Sequence, residues 1–136
     1  MAYVESTDRN QIMFCSMDSL VADENIARII DAFVNGLDIF GTGITKAMPA
    51  GEGRPAYDPR SLLKLYIYGS RKSIRSSRRL AEACRLNVEI RWMIGGIEPD
   101  FRTISDFRKD NVQNLKKQWN AWHGMKATVT IWRQTG

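Results

Sequence analysis

A chain of 136 residues, 43% hydrophobic and 26% charged, is sized for one compact domain with its own core, which sets aside a two-domain or a disordered chain. No run approaches the roughly 18 apolar residues of a membrane span, and the N-terminus MAYVESTDRN lacks the layout of a signal peptide, so a cytoplasmic protein with no membrane partner is expected. The net charge of +5 is unevenly spread: residues 1–58 hold four basic and nine acidic side chains, residues 59–136 sixteen and six.

In chain order, residues 11–15 are apolar and extended in character and read as a short strand or an arm laid over the core. Cys15 and Cys84 lack CxxC spacing; both are expected to be small buried apolar residues, with no disulfide. Asp23 offers a helix cap, and Ile26, Ile29, Ile30, Phe33, Val34 and Leu37 recur at helical spacing, giving an acidic amphipathic helix over 23–37. The glycine-rich stretch GTGITKAMPAGEGRPAY, residues 41–57, reads as a surface loop between the acidic and basic parts of the chain.

Asp58-Pro59 restarts helical structure, since the carboxylate suits the cap and proline the first helical position. A helix over 59–69 turns Leu62, Leu63, Tyr66 and Ile67 inward and Arg60 and Lys64 outward. Ser76 or Ser77 then caps a helix ending at Asn87, a residue tolerant of the left-handed conformation. Residues 88–94 form a further short helix, stopped by Gly95-Gly96. Pro99-Asp100 and the Thr103/Asp106 pair at capping-box spacing start another, with Ile104, Phe107, Leu115, Trp119 and Trp122 in helical register up to Gly124. The tail KATVTIWRQTG alternates like a strand, with the N-terminal segment as its one candidate partner. The fold class is therefore mainly α: a compact multi-helix domain with short strands at its two ends.

A search for catalytic chemistry finds little material. His123 is the one histidine, too few for histidine metal sites or for Ser-His and Cys-His catalysis, and it reads as a partly exposed residue at a helix end. Glycines 41, 43, 51 and 53 match no dinucleotide or phosphate loop. Glu98, Asp100, Asp106 and Asp110 could hold Mg2+ in principle, but capping explains Asp100 and Asp106, and Asp110 lies on a solvated face. No metal or cofactor is expected.

What remains is a basic segment. Arg71, Lys72, Arg75, Arg78, Arg79, Arg85 and Arg91 stand against Glu82 and Glu89. Arg71, Arg75, Arg78 and Arg79 cluster at the entrance of a helix; Arg78, Arg85 and Arg91 fall nearly whole turns apart and could share a face. Arginine forks and a helix N-terminus both suit phosphate, and Ser76 and Ser77 could add hydroxyl donors. Set against a merely solvated helix face, this asymmetry favours a polyanion, nucleic acid before membrane. The helices over 59–69, 77–87 and 88–94 are compatible with a helix-turn-helix unit, though the sequence does not say which would enter a groove. Tyr66, Tyr68 and Trp92 suit the core better than a stacking role.

The motifs YDPRSLLKLY, IRSSRRL and PDFRTISDFRKDN, with DENIARIIDAFVNGLD before them, resemble the N-terminal domain of bacterial insertion-sequence transposases of the InsH-like, DDE type, over roughly residues 11–111. The resemblance implies binding to double-stranded DNA at terminal inverted repeats, with Arg71, Lys72, Arg75, Ser76, Ser77, Arg78, Arg79, Arg85 and Arg91 as the contact candidates. In that family an RNase H-like domain with an acidic triad follows, and no triad can be carried over to any residue here, so a truncated chain without its own strand-transfer activity is expected. Two departures stand out: SRKS over 70–73 is more basic than its relatives, and 112–136 no longer resembles the family. The expected organisation is a transposase N-terminal helical domain over 1–111, with its basic helical part at 58–111, and a divergent, frameshift-like tail over 112–136. The rival reading is a protein-interaction fragment that pairs with full-length transposase or itself through exposed Trp119 and Trp122, or a remnant without function.

Overall fold

The computed structural model describes residues 2–45 and 56–135, with side chains as far as Met125. Six helices follow a single 3-10 turn at Asp18–Leu20: α1 (Ile26–Asn35), α2 (Pro59–Arg71), α3 (Ser77–Leu86), α4 (Val88–Ile94), α5 (Phe101–Asp110) and α6 (Val112–Thr135). Among the described residues there is no strand.

Helix α2 is the centre. It touches α1, α4, α5 and α6, and it starts where Asp58-Pro59 places it, with the Asp58 carboxylate accepting from the Arg60 N–H at 2.9 Å. Leu62, Leu63, Leu65, Ile67 and Tyr68 are all buried, more than one face of the helix can hold, so α2 has little outward side. That is why Lys64, expected to point outward, is instead 8% exposed. Its ammonium donates to Asp31 Oδ1 of α1 at 2.7 Å and reaches the Met93 carbonyl of α4 at 3.5 Å.

The other helices pack around it through caps that differ in detail from the sequence expectation. Asn25, not Asp23, caps α1: its side chain accepts from the Ala27 N–H at 2.9 Å, and Ala27, Ile30 and Val34 face the core. Asn87 is not left-handed (φ −93°, ψ 118°) and does not simply end α3; its Oδ1 accepts from the Ile90 N–H at 3.1 Å and so starts α4. Gly95 and Gly96 do stop α4, at φ 70° and 77°, and the Gly96 N–H returns to the Arg91 carbonyl at 2.9 Å. The Thr103/Asp106 capping box is not used. Asp100 caps α5 by accepting from the Thr103 N–H at 2.8 Å, and Thr103 is buried while Asp106 is exposed.

The predicted end strands are both absent. Residues 11–15 are exposed and lie over nothing, with Phe14 98% accessible, and Cys15 is exposed while Cys84 is buried, both as free thiols. The tail continues α6 to Thr135. A lone alternating segment has no strand to pair with, whereas extending a helix already anchored by Leu115 and Trp122 adds a hydrogen bond per residue. Trp122 is fully buried and meets the Phe33 ring edge-on at 5.5 Å, so it is no exposed sticky position. His123 is exposed within α6, edge-on to Trp119 at 4.3 Å, not at a helix end. Most of the glycine-rich loop, residues 46–55, lies outside the described residues. Its first part is tied down: Ile44 is buried, and the Thr45 N–H donates to Oδ1 of buried Asn111 at 2.9 Å. Among the described residues no helix is long and apolar enough to cross a membrane.

The Lys64–Asp31 pair gives a direct test. Asp31→Ala leaves a buried ammonium with one long bond to a carbonyl and is expected to cost about 3 kcal/mol in urea unfolding. Lys64→Met keeps the apolar stem and leaves Asp31 a route to solvent, so its loss is expected to be smaller.

Candidate nucleic-acid interface

The nine residues singled out in the sequence fall on the last turn of α2, the turn over 72–76, α3 and α4. The turn is sharply defined. Ser73 takes φ 59°, unusual for a residue other than glycine, and the Ile74 N–H closes back onto the Gly69 carbonyl at 2.7 Å. Ile74 packs on the core, and Leu80 of α3 comes so close to α2 that a Cβ on Gly69 would sit 2.8 Å from its methyl carbon. Gly69 thereby sets the seat of α3.

Ser76 caps α3, its hydroxyl accepting from the Arg79 N–H at 3.4 Å. Leu80 and Cys84 form the inner side, and Arg78, Arg79, Glu82, Arg85 and Leu86 are exposed. Seven residues separate Arg78 from Arg85, a rise of about 10 Å along one side of the helix.

The basic residues divide by what they touch. Arg71, Arg75, Arg79 and Arg85 have exposed side chains with no hydrogen bond, ion pair or ring contact among the described residues. Arg78 is exposed but lies over the Phe101 ring at 4.0 Å, and the Lys72 ammonium stands 5.8 Å from the Tyr68 ring centre. Ser77 is half-buried and its hydroxyl accepts from Arg108 Nη1 at 3.3 Å. Arg91 does not share a face with Arg78 and Arg85, because the extended backbone of Asn87 separates α3 from α4. Its Nη1 donates at 3.4 Å both to the Cys84 carbonyl and to Glu98 Oε1.

Arg108 was missed by the sequence reading. It comes from α5, 31 residues beyond Ser77, and its Nη1 also donates to the Arg75 carbonyl at 2.6 Å. It braces the turn before α3. No local pattern marks it, because only the packing of α3 on α5 brings it there.

Beneath this surface a polar cluster fixes the α3–α4 junction. The Glu89 carboxylate accepts from the Tyr68 hydroxyl and, at 2.8 Å, from the Asn25 amide, while the Asn87 amide donates to the Tyr68 oxygen at 3.2 Å. The bonds from Tyr68 and Asn25 hold the Glu89 carboxyl below the usual carboxylate range. Burial, with the Glu89 bond second, pushes the Tyr68 phenol up to about 12. Tyr68 is buried, and Tyr66 and Trp92 are half-buried. Among the described residues no group of three or more His, Cys, Asp or Glu is placed to hold a metal ion.

A family model described as "Transposase domain (DUF772)" matches residues 15–110, a span that covers α1 to α5 and the whole basic segment. No curated protein and no solved structure matches the chain.

Two outcomes check this geometry. Ser76→Ala removes the α3 cap and is expected to cost about 1 kcal/mol in urea unfolding. For Glu89, the folded carboxyl titrates below its unfolded value, so its contribution is full above the ordinary carboxylate pKa and is lost as pH falls through the lowered one. Unfolding between about pH 6 and pH 3 is expected to show a shallower acid loss in Glu89→Gln than in the parent chain.

Proposed function

The chain belongs to the transposase domain family whose model spans residues 15–110, and from that premise we propose that it binds double-stranded DNA through α3 and the turn before it, recognising the terminal inverted repeats of an insertion sequence of the InsH-like, DDE type. The supporting observation is the set of unpartnered, exposed arginines at 71, 75, 79 and 85. A fold that needed these charges for itself would pair them; left free, they suit phosphate, whose bound counterions they would displace.

In this reading α2, the turn and α3 act as a helix-turn-helix, with α3 as the helix that enters the major groove. An α-helix with its side chains is about 10–12 Å across and fits a major groove about 12 Å wide, and the ten residues of α3 give it about 15 Å of length to lay there. Helix α4 is the weaker candidate, since Ile90, Met93 and Ile94 are buried and Arg91 is engaged by Glu98. Ser76 serves the cap, and Ser77 is held by Arg108, which leaves the arginines as the main contacts. The proposal gives these residues binding and assigns strand transfer to none of them. The rival reading as an interaction fragment loses its two exposed tryptophans, since Trp122 is fully buried and Trp119 is half-buried against the core.

A duplex carrying the inverted repeat, titrated between about 50 and 200 mM salt, is expected to show affinity falling steeply with salt. Arg79→Ala with Arg85→Ala should flatten the slope of log affinity on log salt by about 1.8, the effect of two phosphate contacts. Absent or salt-independent binding by the parent chain would contradict the proposal.

A further inference from the structure

The basic surface continues past α3. Two cavities meet at Tyr66 and Arg108: one of about 290 Å3 includes Ser70, Arg75 and Trp119 in its walls, the other, of about 310 Å3, Lys109 and Lys116. No acidic side chain lines either, although Asp106 and Asp110 stand exposed on the same helix, α5.

Arg108 is the hinge of this arrangement. Its Nη1 is committed to the Arg75 carbonyl and the Ser77 hydroxyl. The guanidinium plane is therefore fixed, while Nε and Nη2 have no partner among the described residues. Those two nitrogens form the side edge of the fork, which presents parallel N–H donors to a phosphate. An arginine oriented in advance loses little freedom when it takes a ligand. Lys109 and Lys116 are exposed, with no described partner, and line the same cavity as Arg108.

We infer that the two cavities form one track for a DNA backbone strand. The side edge of Arg108 holds one phosphate, and Lys109 and Lys116 neutralise phosphates beside it. The footprint then runs from α3 across the turn it caps to α5 and the start of α6. This rests on the DNA-binding reading above, and it adds a second set of phosphate contacts, which carry no sequence information, beside the groove-facing helix.

The test is a duplex titration over the same salt range with the full chain and three variants. Lys109→Ala with Lys116→Ala removes two exposed side chains and is expected to lower the salt slope by about 1.8, as two phosphate contacts require. Arg9→Ala, a charge lost from the exposed N-terminal segment, is expected to leave the slope unchanged, which separates a track from net charge. Arg79→Ala with Arg85→Ala reports on α3 alone. If the lysine variant keeps the parent slope while the Arg79/Arg85 variant loses its share, the track is wrong and the α3 reading stands. If Arg9→Ala lowers the slope as much per charge, the track is also wrong. If the parent chain shows no salt-dependent binding, both fall.

Discussion

The Glu89 carboxylate is the constraint on which the arrangement turns. It accepts from the Tyr68 hydroxyl on α2 and from the Asn25 amide at the start of α1, and Asn87, at the break between α3 and α4, donates to that same hydroxyl. Four helices are thus indexed to one buried-edge cluster. A cluster of this kind is worth having only when each member is satisfied, and here Asn25 and Asn87 serve twice, each also capping a helix. The consequence for function is geometric. Asn87 is the sole residue between α3 and α4, so fixing its side chain fixes the angle at which α3 leaves the core and presents its arginines.

A related economy explains why those arginines are free. Several acidic side chains are absorbed by structure: Asp58 and Asp100 cap helices, Asp31 neutralises the buried Lys64, Asp18 pairs with Arg28, and Glu98 with Arg91. The three ion pairs among the described residues include one member of the basic segment, Arg91. What is left over is an excess of arginine around α3 with little anion to meet it, and Glu82, the acid on its exposed side, forms no ion pair within 4.0 Å.

How far the sequence was legible follows the range of the forces involved. Asp58-Pro59, Ser76 and Gly95-Gly96 were readable because a cap or a left-handed turn is decided within a few residues. Period placed Ile30 and Val34 of α1 and Leu62, Leu63 and Ile67 of α2 in the core, but it put Ile29, which is 38% exposed, inward and passed over buried Ala27 and Leu65. Lys64 was not legible, since its burial depends on α2 being enclosed by four other helices, a property of the packing and not of the pattern. Asn87 was legible as the end of α3 but not as the start of α4, because its extended backbone and its bond to the Ile90 N–H are set by the helix that follows. The basic segment was legible as charge, but its division into free and engaged members was not: Arg91 is occupied through Glu98, and Arg108, which braces Arg75 and Ser77, comes from another helix. The tail misled because alternation signals a strand only where a partner strand exists.

The uneven charge noted at the start acquires a physical sense from the fold. The acidic part of the chain is not a separate unit, for α1 packs directly on α2 and α4, while α3 leans on α4 and α5. Asp23, Glu24 and Asp38 are exposed at the two ends of α1, and the free arginines are exposed on and before α3. The exposed acids thus lie beyond the ends of α1 and the free arginines on and before α3, with the Asn25–Glu89 bond joining the start of α1 to α4. Near a polyanion the exposed acids would be repelled and the free arginines attracted, an effect that acts within a Debye length, about 8 Å at physiological salt. Helix α1 itself is neutral, with Arg28 against Asp31, so any such bias would come from the exposed acids beyond its ends.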